Sequence, residues 1–417
     1  MCLSKKISFF IIFIIIYVSN DTLLFGTNKN PFFFYLQFVF LISAMVPLIF
    51  VRHSIQKNQI VLVIAFVFLN IGTMLVNFEI DIKYLYEIFV YVLSFLLVVS
   101  LDFDVFVYQY KKVMYILSVF SIVLFLVYYF AYGVVIKFPY IFNDADMKFY
   151  FFGLGFLPAF SSAIPRSYGI FREPGVYIIF LTLAILFELY YSNLKSQKRV
   201  FIYFLALLLT FSTAAYIIIA IIALVYMFYC FKNINNGFSH FKFLFLLAIV
   251  FVAVILIFGW DDISNTVFGK LDSSNSSRDS RIGSIVANFN IAKENFMTGK
   301  GWTYVIENFG EYAYRTGYNC GHNTNTLLKI LAVHGVVYFM LSVYLIFRFW
   351  KKVSSSFFIS IILGVIFIIA LSNEDLSVNS LIYVLMFYGI TNGRSINLDE
   401  DCNTEFGSIR QHGQNSI

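Results

Sequence analysis

Apolar runs of the length that crosses a lipid bilayer, about 20 residues, recur along this chain with only short polar breaks between them. That feature leaves few folds open. Of all residues 60% are hydrophobic and 12% charged, whereas soluble domains carry about 25% charged residues. A single globular core cannot hide this much apolar surface from water. Backbone inside hydrocarbon must satisfy its own hydrogen bonds, and runs of this kind do so as helices. The expected fold class is therefore an all-α integral membrane protein with about twelve transmembrane helices. The 53 Phe and 29 Tyr suit helix packing and the membrane–water interface. The net charge of +6 reads as loop bias and not as a nucleic-acid interface.

The spans fall at approximately 7–25, 32–51, 59–77, 84–101, 113–136, 175–191, 200–213, 214–231, 243–259, 324–346, 355–371 and 376–392. The run 200–231 is too long for one helix and short for two; Thr210, Ser212 and Thr213 in its middle favour a tight turn. Short cytoplasmic loops gather Lys and Arg. With the N-terminus inside, the short inner loops hold Lys5, Lys6, Arg52, Lys57, Lys111, Lys112, Lys195, Lys198, Arg199, Lys232, Lys242, Arg348, Lys351 and Lys352, and the short outer loops only Lys29 and Lys83. This alternation supports two helices in 200–231. It puts both termini of a multi-pass membrane protein in the cytoplasm.

Residues 1–392 thus read as one transmembrane domain with two larger outer segments, 137–174 and 260–323, and 393–417 as a disordered cytoplasmic tail. The N-terminus lacks a small-residue cleavage motif, so 7–25 reads as an uncleaved span. Of Cys2, Cys230, Cys320 and Cys402 only Cys320 faces the oxidising side, so neither an intramolecular disulfide nor a cysteine metal site is expected.

Charged residues collect at the outer ends of helices. The first outer segment ends Pro165-Arg166-Ser167-Tyr168-Gly169-Ile170-Phe171-Arg172-Glu173-Pro174-Gly175. Pro174 suits the first turn of a helix, whose N-terminus attracts anions. Arg166 and Arg172 beside it make a candidate anion site, unless they only anchor the helix at headgroup level with Glu173 as ion-pair partner. In the second segment Arg278 and Arg281 lie three residues apart on a helix with Ile282, Ile285, Val286, Phe289 and Phe296 at three- and four-residue spacing. That pattern is expected to lie on the outer leaflet. Gly299-Lys300-Gly301-Trp302 then turns the chain. The segment closes at His322-Asn323-Thr324, where Asn323 or Thr324 caps the tenth span. Lys329 follows inside that span and needs a cavity, a partner or a route to the headgroups. His334, deeper, reads as a packing group, and Ser372-Asn373-Glu374-Asp375 as a solvated turn. Arginine's planar fork suits diphosphate, and each charge-assisted bond contributes roughly 1.5–3 kcal/mol. No Walker sequence appears, so neither cofactor nor metal is expected and an activated donor should arrive already attached to lipid.

At these residues the chain resembles the O-antigen polymerase and ligase superfamily of lipid-dependent glycosyltransferases. The resemblance rests on Arg166, Gly169, Phe171, Glu173, Pro174 and Gly175 before one span; on Thr210, Ser212 and Thr213 in the next pair; and on Arg278, Arg281, Gly299, Gly301, His322 and Asn323 in the large outer segment. It covers about 160–340. Many members carry Ser-Arg where this chain has Ser212-Thr213, so no arginine role transfers there. The resemblance implies a GT-C-like architecture and transfer of a growing glycan from undecaprenyl diphosphate to a sugar hydroxyl, beside a chain-length regulator protein. It implies diphosphate binding by Arg166, Arg172, Arg278, Arg281 and Lys329, without metal, and His322 or Glu173 as base. The moderately basic outer loop points to O-antigen or surface-polysaccharide polymerase over ligase. A flippase would line a central cavity with charge, and a non-catalytic membrane protein would not need arginines clustered at helix mouths.

Overall fold

The computed structural model describes residues 4–28, 30–51, 55–159, 166–192, 194, 196–232, 276–318, 320, 322–354 and 356–391. The expected ninth span (243–259), the start of the second segment (260–275) and the tail (393–417) lie outside the described residues, as do the side chains of Arg278 and of all cysteines except Cys320.

The chain forms helices α1 (Lys5–Tyr17), α2 (Leu23–Gly26), α3 (Pro31–Ile49), α4 (Lys57–Val76), α5 (Ile82–Ser100), α6 (Phe103–Phe130) and α7 (Tyr132–Val135). Three short antiparallel strands follow, β1 (Tyr140–Phe142), β2 (Lys148–Phe151) and β3 (Phe156–Pro158), in order β1-β2-β3. Then come α8 (Pro174–Leu186, continued by a π-helical turn to Tyr191), α9 (Gln197–Leu208), α10 (Thr213–Lys232), α11 (Ser276–Glu294), α12 (Trp302–Arg315), α13 (Thr326–Val353), α14 (Phe357–Leu371) and α15 (Ser380–Tyr388). Among the described residues, α3, α4, α5, α6, α8 with its π turn, and α13 are long and apolar enough to cross a membrane; α14 and Thr213–Met227 of α10 are shorter apolar helices. The fold is helical and multi-pass, with a small sheet in the first of the two larger segments.

Several boundaries differ from expectation. The first span stops at Tyr17, and the chain turns through 18–22 before α2. The last helix has only nine residues, Ser380–Tyr388, because Asn379 caps it by accepting from Leu381 N. The doubtful run 200–231 is two helices: the chain breaks between Leu208 and Thr213, with Phe211 at φ 43°.

Helix α8 is the centre of the bundle. Every residue from Pro174 to Leu186 is buried, packed by α6, α9, α10 and α14. A helix apolar on all sides needs neighbours on all sides, and this one puts its N-terminal Glu173-Pro174-Gly175 among other helix ends. Helix α13 is broken at Gly335, whose φ of 80° is a left-handed value that only glycine adopts without strain. The break frees backbone groups, and the turn after α11 takes them up. Val336 N donates to Phe296 O (2.9 Å), while Lys300 N and Gly301 N donate to Ala332 O (2.9 Å) and Val333 O (3.0 Å). The Gly299–Trp302 turn is thus docked into a kinked helix. Glu79 accepts from Thr303 N and Tyr304 N at the start of α12, as a carboxylate at a helix N-terminus should.

Below that turn lies a buried polar cluster. Glu87 on α5 accepts from Trp302 Nε1 (3.2 Å) and from Asn70, and its other oxygen meets His334 Nε2 at 3.1 Å. His334 stacks on Tyr338, with ring centroids 4.4 Å apart. Here His334 is a partnered packing group, as expected.

Candidate functional site

The site forms where α8 begins, α9 turns into α10, α13 begins and α14 ends. Its first component is the stretch before α8. Arg166 Nε donates to Thr210 O (3.0 Å) and Ser167 N to Leu209 O (2.9 Å), so the turn between α9 and α10 holds Arg166 in place. Its second component is the strap 320–324, bonded to α11. Cys320 Sγ donates to Ser280 O (3.2 Å), Thr324 N donates to Ser284 Oγ (3.0 Å), and the Asn288 and Asn323 amides exchange hydrogen bonds of 3.0 and 2.8 Å. These bonds set exposed His322 beside Ser280 and Arg281. They also correct the expected cap: Asn323 is engaged with Asn288 and Asn325 N, so Asn325 caps α13 by accepting from Leu328 N. The third component is the turn 372–379, pinned by Thr326. Thr326 Oγ1 donates to Glu374 O (2.6 Å) and accepts from Leu376 N (2.9 Å).

These pieces enclose a cleft of about 260 Å³ lined by Arg166, Glu173, Gly175, Ser212, Arg281, His322 and Glu374. Four of the residues singled out in the sequence therefore share one wall system: Arg166, Glu173, Arg281 and His322. Burial pulls the Arg166 and Arg281 guanidinium groups below their usual range, against the pull of Glu173 and Glu374. A desolvated guanidinium with few fixed partners binds an arriving anion strongly, because little water must be displaced.

The other three expected residues stand differently. Arg172 does not line this cleft. It faces Asp21 (3.6 Å) and Glu374 (3.8 Å) and donates to Asp375 O (3.0 Å). Burial alone would lower its pKa, but Asp21 and Glu374 outweigh burial and raise it. The reason is local: Arg172 N donates to Asp21 O and Leu23 N to Ile170 O, which ties this stretch to the turn after α1. Lys329 forms an ion pair with Asp375 and lies over the Trp302 ring. Both cations instead line a neighbouring groove of about 600 Å³ whose walls include Phe25, Phe34, Phe38, Ile82 and Trp302. Arg278 is in the first turn of α11.

One other expectation changes. The turn 372–375 is not simply solvated: Glu374 is 6% exposed and Asp375 is paired with Lys329. Burial, then the neighbouring Glu173 carboxyl, hold the Glu374 carboxyl well above the usual range, against Arg172 and Arg281. Lys329 outweighs burial and holds Asp375 below it. Helix α11 forms as expected; its packed face is Ser284, Ala287, Asn288 and Ile291, while Ile285 and Phe289, and Phe296 beyond its end, stay exposed. The apolar spacing located the helix; the small and polar positions between give its docking face.

No curated protein and no solved structure matches this chain. Residues 200–343, which include Ser212, Arg281 and His322 but stop short of Glu374, match the family model described as O-antigen ligase, a match that supports the O-antigen polymerase and ligase superfamily.

Proposed function

We propose that the protein is a polysaccharide polymerase of the outer face of the bacterial inner membrane, joining oligosaccharide units carried on undecaprenyl diphosphate. One observation carries the reading. Arg166, Arg281, Glu173 and His322, drawn from three distant stretches of a membrane protein, meet in one polar cleft. In this reaction an acceptor sugar hydroxyl attacks the anomeric carbon of the donor glycan. The new C–O bond forms as the bond to the lipid diphosphate breaks, and the diphosphate leaves with the electron pair. Arg166 and Arg281 stabilise the charge that develops there, and Arg278, one turn earlier on α11, adds to them in this scheme. The hydroxyl proton passes to Glu173 or His322. Arg172 and Lys329, beside the apolar groove, serve the diphosphate from the side where a lipid chain leaves it. No metal is needed in this scheme, because the arginines neutralise the leaving group. A chain-length regulator would act beside the enzyme.

The second reading is ligase, transferring a finished glycan to lipid A-core, and the description of the matching family favours it. A strain lacking the protein, complemented with wild type or Arg281→Ala, separates the two on a gel of surface glycan. A core with a single repeat, extended to a ladder only by wild type, means polymerase. Full-length glycan retained on undecaprenyl lipid means ligase. Repeats trapped in the cytoplasm mean neither.

A further inference from the structure

Glu374 is the site's unplanned member. It lies in the turn between α14 and α15, 6% exposed, against the first turn of α8. The approach is so close that a Cβ on Gly175 would stand 2.1 Å from Glu374 Oε1. Only a residue without a side chain lets this carboxyl reach α8. There it lines the same cleft as Glu173, two residues before Gly175, and Glu173 is, after burial, what holds its carboxyl above the usual range. Two carboxylates cannot bond to each other; one must carry a proton. Glu374 is the more enclosed of the two, and Glu173 is half-buried at the cleft wall.

We propose that Glu374 is a protonated carboxylic acid that donates to Glu173, and that it is the positioning residue which turns the Glu173 carboxylate toward the acceptor hydroxyl. This rests on the glycosyl-transfer reading above. A hydrogen bond from behind leaves Glu173 charged, fixes its rotamer and leaves its remaining lone pairs for the substrate. Of the two candidate bases it selects Glu173; His322, exposed on the far strap, keeps a binding role.

The charges around Glu374 fit this assignment. Glu173 faces it from α8 and Arg281 from α11. Arg172 approaches to 3.8 Å, beyond hydrogen-bond reach, and is held by Asp21 and Asp375 O. Arg166 and His322 line the same cleft. Asp375, next in sequence, turns away to Lys329. A carboxyl whose folded-state pKa is raised binds its proton more tightly folded than unfolded. Its contribution is complete below the usual glutamate range and is lost as pH rises through the folded value. Ionisation then sets two carboxylates against each other and releases Glu173.

The test uses the purified full chain in lipid nanodiscs and membrane vesicles supplied with lipid-linked repeat units. Infrared spectra at neutral pH should show a protonated-carboxyl C=O band that Glu374→Gln removes. Glu374→Gln, which keeps a neutral donor, should polymerise within about threefold of wild type and lose the wild-type decline at alkaline pH. Glu374→Ala should fall at least about tenfold. Absence of the band, or a Glu374→Gln variant as inactive as Glu374→Ala with the alkaline decline unchanged, overturns the proposal. The infrared readout needs no glycan, so it stands even if the reaction is not polymerisation.

Discussion

Glu87→Ala should loosen the whole second segment from the bundle. The Glu87 carboxylate is fully buried and serves three groups from three elements: Asn70 on α4, Trp302 at the start of α12, and His334 on α13. Removing it leaves those groups without their partner. An unsatisfied buried donor costs roughly 1–3 kcal/mol in a soluble core, while hydrogen bonds between membrane helices average about 0.6 kcal/mol, because the unfolded chain in the membrane finds other partners. Three partners therefore bracket the loss between about 2 kcal/mol and several kcal/mol more. Because Trp302 follows the turn that docks into the α13 break, the loss should fall on α11 and α12 first, displacing Arg281. Reversible unfolding from mixed micelles into SDS measures the free energy, and hydrogen exchange over 276–315 reports the location. Glu87→Gln keeps one acceptor oxygen and should fall between wild type and alanine. An Ala variant within about 0.5 kcal/mol of wild type, or one whose exchange rises uniformly, would refute the account of Glu87 as the tie between these elements.

Arg281→Ala should lower glycan transfer by about tenfold to a hundredfold, the equivalent of one charge-assisted bond in the transition state; Arg281→Lys should recover only part, since it loses the planar fork. Gly175→Ala should lower activity comparably, because its Cβ would displace Glu374; a variant with normal turnover would show that the Glu173–Glu374 contact is dispensable. Gly335→Ala should destabilise the protein by more than the roughly 1–3 kcal/mol of left-handed strain alone, since its Cβ would also meet Met297 O at 2.3 Å; SDS unfolding measures this. Cys320, buried at 4% exposure with its thiol against the Ser280 and His322 carbonyls, should resist maleimide in the folded protein and react on unfolding. A non-reducing gel shift abolished by Cys320→Ser would contradict that burial.

The helices were legible because their signal is repeated and local. Twenty apolar residues mean the same thing wherever they stand, and the Pro174-Gly175 and Asn-Thr signals mark helix starts within a few residues. The π turn after α8, the strands at 140–158 and the break at Gly335 were not legible, because each is settled by a partner far away in sequence. Gly335 looks like one small residue in a long apolar run; only the Gly299–Gly301 backbone against it explains the kink. The cleft was half legible for the same reason. Arg166, Glu173, Arg281 and His322 announce themselves as polar residues at helix mouths. Arg172 has the same credentials, yet Asp21, from a turn expected inside the first span, claims it. Glu374 reads in sequence as part of a solvated turn, because an acidic residue in a short turn is usually solvated and nothing local says that Gly175 opens a place for it.

That division has a chemical logic. Charges that meet a substrate must remain partly unsatisfied, so they lie on the edges of elements, where sequence shows them as anomalies. Charges that position others must be satisfied, so they are paired and enclosed, and sequence shows only one half of each pair. On the proposed reading Arg166 and Arg281 are of the first kind; burial lowers both guanidinium groups below their usual range against the pull of Glu173 and Glu374. Arg172 with Asp21, Lys329 with Asp375, and Glu374 with Glu173 belong to the second. The three pairs join the turn after α1, the start of α8, the start of α13 and the turn after α14. They form a floor whose members line either the cleft or the apolar groove beside it. A diphosphate bridging groove and cleft would therefore meet the cleft arginines at one end and the ion pairs at the other. On this geometry, disrupting a floor pair should weaken the placement of the substrate, whereas losing a cleft arginine should slow the chemical step.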